Sequence, residues 1–222
     1  MQGILLSPIE INFQRSDGIH FLTLTPTFTL NTKIIMKKIL LSSMLIASMM
    51  MFTACDSNKT EDSKEVAEEQ NEQKFEDSKV EDDTEFAVAA ADGGMLEVKL
   101  GELAQTNGAA PSIKEFGKQM VKDHGKANEE LIALAKQKNI SLPMSLSDEK
   151  QKKVDDLASK KGKDFDKAYA SFMVDDHQED IDDFQEAAKD GKDSEIKAWA
   201  AEKVPTLQHH LEMAKKMKDA VK

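Results

Sequence analysis

The sequence predicts an all-α fold, a bundle of four long helices with one long crossover between the second and the third. Three observations predict it. From Phe86 onward apolar residues recur at intervals of three and four, the period of a helix rather than a strand. Turn signals of a few residues separate the first helix from the second and the third from the fourth, whereas Ser141 to Lys163 separate the second from the third. Finally, FGKQMVKDHGKANEEL (116–131) and YASFMVDDHQEDIDDF (169–184) carry one aromatic, Met-Val and Asp-His pattern at a constant offset of 53.

The first helix is expected over about Asp83 to Thr106, with Phe86, Ala90, Leu100 and Ala104 on one stripe, and it stops at Asn107-Gly108. The second follows Pro111-Ser112, where Ser112 and Glu115 have the spacing of a capping box, and runs through Ile113, Met120, Ala127, Leu131 and Leu134 to Asn139. A third follows Asp164 with Tyr169, Met173, Ile181, Phe184 and Ala188 on its stripe. The fourth runs from about Asp193 through Ile196, Ala200, Leu207, Leu211, Ala214 and Val221, with Pro205 expected to kink it. Short turns make each pair an antiparallel hairpin. Helices of this length span about 40 Å. The connector, in which Ser147 caps a short extra helix, is long enough to return across that distance. Helices two and three can therefore run parallel, in the one-crossover, ferritin-like topology, and this places His124 and His177 at a similar height.

The N-terminal part reads as addressing. Met36-Lys37-Lys38, the apolar run ILLSSMLIASMMMF and Thr53-Ala54-Cys55 have the order of a secretory signal, and the chain's single cysteine sits at the cleavage point of a lipoprotein signal. A lone thiol makes no internal disulfide, so lipid attachment at Cys55 is expected. The pattern resembles a bacterial lipobox, with Phe52 where Leu, Val or Ile is commoner. Residues 36–54 are thus the signal peptide and 1–35 an extension from a start assigned too early. Residues 55–84 are rich in acid, with a net charge of −9 over Asp56 to Glu85 against −11 for the whole chain. Few apolar residues lie there to offset ordering entropy, so a disordered acidic tether is expected. Deleting it should leave the stability of an 85–222 domain unchanged. No basic stripe is present to hold a phosphate backbone, which argues against nucleic acid as a partner.

Together GGMLEVKLGELA, IKEFGKQMVKDHGKANEEL, FDKAYASFMVDDHQEDIDDF and KAWAAEKVPTLQHHLEMA resemble a family of bacterial exported four-helix domains, of ferritin-like fold and unknown function, often labelled as outer-membrane proteins. The resemblance covers about Glu85 to Lys222. It implies the fold and a place in the cell envelope, at the outer membrane or facing the periplasm, and it brings no established reaction. The reading is a lipid-anchored binding or protective module whose only assigned partner is the membrane, with its protein or small-molecule partner open. Alternatives are a metal-binding or metal-storing protein and a structural lipoprotein.

Each helix sets one polar residue on its apolar stripe: Glu97, His124, His177 and His210. Three imidazoles and a carboxylate in a bundle interior are ligands suited to a transition metal such as iron, zinc or copper. Against a di-iron centre, the Glu-x-x-His pair is missing, since Val121, Val174 and Leu207 stand three residues before the histidines. His210 is expected about a turn off the level of the others, and Asp123 and Asp176 to face away from the interior. The favoured reading is histidines that are satisfied in the core and fix packing. The lone cysteine leaves no Cys-His catalysis, no Gly-rich phosphate loop follows a strand, and Gly93-Gly94 is read as a close helix contact.

The lipid anchor has a direct test. Cys55→Ser should release the chain from membranes or stall its processing. An unchanged mass and unchanged membrane fractionation would remove the anchor.

Overall fold

The structure is a computed structural model that describes residues 61–76 and 78–222. The expectations for 1–35, for 36–54 and for Cys55 lie outside the described residues. Six helices follow in order: α1 (Ser63–Phe75), α2 (Glu81–Asn107), α3 (Pro111–Lys138), α4 (Asp148–Ala158), α5 (Gly162–Asp190) and α6 (Ser194–Ala220). No strand occurs among the described residues, where one isolated bridge joins Gly108 to Gly162. The four long helices predicted from periodicity are α2, α3, α5 and α6, and the short helix of the connector is α4.

Packing fixes their directions. One core layer joins Leu100 and Ala104 late in α2, Ile113 and Phe116 early in α3, Phe165 and Tyr169 early in α5, and Ala214 and Met217 late in α6. A second joins Ala87 early in α2, Leu131 and Ala135 late in α3 and Ile196 early in α6. Hence α3 and α5 start at the same end, as the connector length allows. The α2–α3 hairpin is close enough that a Cβ on Gly101 would stand 2.6 Å from the Gly117 carbonyl oxygen, so glycine at this crossing lets the backbones touch.

Buried aspartates clamp the connectors. Asp166 of α5 accepts from the backbone N–H groups of Ala109 and Ala110, both at 2.9 Å, and so holds the α2–α3 turn. Asp92 of α2 accepts from the N–H of Ser147 (2.9 Å) and its hydroxyl (2.7 Å) at the start of α4. Asp83 accepts from the N–H groups of Lys192 and Asp193 in the α5–α6 turn. Carboxylates accepting from two donors each are among the stronger ways to fix a loop. Ser147 caps α4 as expected. Ser112 does not cap α3: Pro111 occupies the first helical position, which leaves Ala110 as the cap and Ser112 inside the helix. Around Pro205, α6 continues without interruption.

The expected disorder of 55–84 fails over Ser63–Phe75. There α1 packs on α2, burying Ala67 and Asn71, and Phe75 joins the layer built on Ala87 and Leu131. Apolar composition underestimates this helix because polar groups attach it. The Asn71 amide accepts from Ser141 N–H (2.7 Å) and donates to the Ser141 carbonyl (2.8 Å). Ser63 Oγ accepts from Met144 N–H (2.8 Å), and Asp62 accepts from Asp148 N–H (2.7 Å). Thus α1 straps the α3–α4 connector.

The strap reverses the expectation of a dispensable tether. Removing 61–76 should lower the melting temperature, and Asn71→Ala, which leaves the part-buried backbone groups of Ser141 without this partner, should cost about 1 kcal/mol in denaturant unfolding. Stability unchanged in both variants would return this segment to a loose tether.

Candidate functional site

Glu97 of α2, His124 of α3, His177 of α5 and His210 of α6 meet in the interior, all less than a tenth exposed. Glu97 Oε2 stands 2.5 Å from His124 Nδ1, and Glu97 Oε1 stands 3.4 Å from His177 Nε2. His210 is level with the others, against expectation: its ring centroid is 5.3 Å from that of His124 and 5.5 Å from that of His177, and the remaining pair is 5.7 Å apart. Residue counts from the hairpin turns misplace it because the point at which α6 leaves its turn is set by tertiary contacts, such as Asp83 on the backbone of Lys192 and Asp193.

Several ring nitrogens of these histidines lack a partner among the described residues. His124 Nε2, His210 Nδ1 and His177 Nε2 are buried without a hydrogen-bond partner, as is Glu97 Oε1, while the backbone of Met173 lies within reach of the His177 ring. The partners that do exist engage the opposite side of two rings, Glu97 on His124 Nδ1 and Asp123 on His210 Nε2 at 2.9 Å. Asp123 therefore faces its neighbour histidine and not bulk solvent alone. A carboxylate on one imidazole nitrogen fixes the ring and frees the other nitrogen as a ligand.

A shell of ionisable groups surrounds this cluster, and sequence reasoning missed most of it. Asp176, expected to turn away, is half-buried, with Oδ2 buried and unpartnered. Burial, only partly offset by the Lys150 charge, pushes its carboxyl up to about 6. Burial, reinforced by the Asp176 charge, also raises Glu97 well above the usual carboxylate range, and burial next to Glu97 and Asp176 raises Asp180. The Tyr169 hydroxyl is buried without a partner, and burial near these acids pushes it up as well. Burial lowers His124 and His210 to about 4 and holds His177 well below the ordinary imidazole value, so the rings are neutral at neutral pH. A helical wheel signals Asp180, three residues after His177, and Tyr169, eight before it. Lys150 reaches the acids from α4, and no periodicity within one helix marks it.

Neutral imidazoles grouped in this way are competent metal ligands. One nitrogen from each of His124, His177 and His210 lies within 4.8 Å of the others, and Glu97, Asp176 and His177 form a second such group. Three imidazoles on a single ion at 2.0–2.1 Å would have ring centroids roughly 5 to 5.5 Å apart, a range that covers two of the three separations here, the His124–His177 pair being slightly wider. A divalent ion would also supply the positive charge that burial otherwise denies Glu97. On one side a cavity of ≈ 200 Å³ reaches Glu97, His124 and His210. Of the predicted glycine pair, Gly94 does pack closely, on the Asn128 side chain, whereas a Cβ on Gly93 would meet nothing within 4 Å and Gly93 lines this cavity.

Comparisons with curated proteins and with solved structures gave no match. A family described as a domain of unknown function (DUF4142) matches residues 66–217, from within α1 to the last turns of α6, and so includes every residue of the cluster. The chain belongs to the DUF4142 family.

Proposed function

We propose that this chain is a metal-binding module in a ferritin-like four-helix bundle, held in the bacterial cell envelope by a lipid on Cys55. The observation that carries the metal reading is the set of buried imidazole nitrogens without partners on His124, His177 and His210, with their rings placed around one point. Buried polar atoms are paired in nearly all folded proteins, and leaving one unpaired costs about 1–3 kcal/mol. One such nitrogen on each of three neighbouring rings is a cost that packing does not offset and that a bound ion would offset. Three neutral nitrogen ligands with a carboxylate nearby suit zinc, copper or iron rather than calcium or magnesium. A fourth position, left to the cavity side, is the mark of a site that exchanges ligands rather than of a closed structural one. The ferritin-like assignment is supported by the shared starting end of α3 and α5 and by the crossover through α4. The envelope assignment is supported by the signal and by Cys55. Among the described residues no helix is long and apolar enough to cross a membrane, so on this reading the lipid supplies the attachment.

Two measurements separate a metal site from packing histidines. Without metal, His177→Leu should melt at the wild-type temperature or above it, since the substitution replaces a buried ring that has an unpaired nitrogen with an apolar group. Packing histidines predict a loss instead.

With metal, zinc, copper or iron(II) added to chain purified without a histidine tag should raise its melting temperature. At a concentration one hundred times the dissociation constant the gain is about 2.7 kcal/mol. His124→Gln, His177→Leu and His210→Gln should each abolish the rise. If no metal moves the wild type, the metal reading fails.

A further inference from the structure

The geometry points to the cavity beside the histidines as a binding site for a small neutral aromatic molecule that carries a hydroxyl or carbonyl oxygen, its oxygen turned toward the histidines and its ring held against Phe184 and Trp199. The inference builds on the metal reading for what the oxygen meets, but the pocket itself rests on separate observations. Its inner end is formed by Glu97, His124 and His210, and its outer wall by Ala90, Ala127, Phe184, Trp199 and Leu207. The Phe184 and Trp199 rings lie 5.5 Å apart at 43°, with Phe86 completing an aromatic group beside them. Aromatic faces of this kind favour a flat ring in offset or edgewise contact. The site is thus apolar at one end and polar at the other, the arrangement that orients a small ligand.

Charge selects against an ion. The lysines that line the pocket, Lys126 and Lys203, are both paired with Glu130, and Lys203 also meets Glu202 at 3.1 Å. An anion would find each of these cations already engaged. Of the acids that line the pocket, Glu130 and Glu202 meet those same lysines, Asp123 meets His210 and Glu97 meets His124, so a cation finds these carboxylates engaged as well. Unmet hydrogen-bonding capacity is nevertheless present, because the Trp199 indole N–H is buried without an acceptor and His124 Nε2 and His210 Nδ1 are without partners. An oxygen that both accepts and donates, or that binds an ion held by the histidines, fits this set. Gly93 completes the case. It lines the cavity, and a side chain there would enter open space, so the position keeps the pocket empty rather than allowing two helices to touch.

Trp199 is the only tryptophan in the chain and therefore reports on the pocket directly. Phenol should quench its fluorescence saturably in the full chain, more tightly after zinc loading than before, while cyclohexanol and acetate bind far more weakly. Gly93→Leu should abolish the saturable quenching yet retain the zinc-dependent rise in melting temperature. Absence of saturable quenching, equal binding of cyclohexanol or acetate, or full phenol binding by a folded Gly93→Leu chain would each overturn the proposal. The two readings fail separately: phenol binding that Gly93→Leu removes, in a chain that zinc does not stabilise, leaves the pocket in place and removes the metal.

Discussion

Glu97, buried between His124 and His177, is the contact on which the register of the long helices depends. It belongs to α2, the imidazoles to α3 and α5, and His210 closes the group from α6, so a slip of one turn in any helix, about 5.4 Å, would separate them. The connectors are built to prevent such a slip. Asp166, Asp92 and Asp83 each tie a turn or a helix start to a neighbouring helix by two backbone or hydroxyl bonds, at three different places along the bundle. The strap α1 adds a fourth tie by pairing Asn71 with the backbone of Ser141.

A polar interior of this kind has to be carried by the apolar layers around it. Phe116, Met120, Phe165, Tyr169 and Met173 are almost wholly buried in the layer at one side, and Ala87, Leu131 and Ile196 in the layer at the other. Burying a large apolar side chain contributes about 1.5–3 kcal/mol, which is the scale of the cost of one unpaired buried polar atom. The layers therefore hold the centre in place, but they give no reason for it to be polar. The metal proposed for this site would give that reason, with stability exchanged for binding at the central cluster.

Much of the fold was legible because each long helix writes its buried stripe into the sequence. Phe86 to Ala104, Ile113 to Leu134, Tyr169 to Ala188 and Ile196 to Ala214 all lie in helices near the expected bounds, and Ser147 caps α4 as its sequence context suggests. The repeated Met-Val-x-Asp-His was equally informative, since helices that start at one end carry equivalent residues to one height. Local rules failed where tertiary contacts decide. Asp166 took over the α2–α3 turn from the expected Ser112 cap, and α1 gained its order from Asn71 and Ser63 as well as from Ala67 and Phe75. At the site, Glu97 and the three histidines were visible on their stripes. Their lack of partners was not, because it depends on which groups of other helices stand opposite. Asp123 was misplaced for the same reason, as its contact with His210 joins residues 87 positions apart.

The central claim is that His124, His177 and His210 together hold one metal ion. X-ray absorption at the zinc edge, on chain loaded with one equivalent of zinc, tests it most directly. The account predicts a first shell dominated by three imidazole nitrogens at about 2.0–2.1 Å, with the imidazole scattering reduced when any one of the three is replaced. A shell of oxygens alone, or a spectrum unchanged by all three replacements, would contradict it.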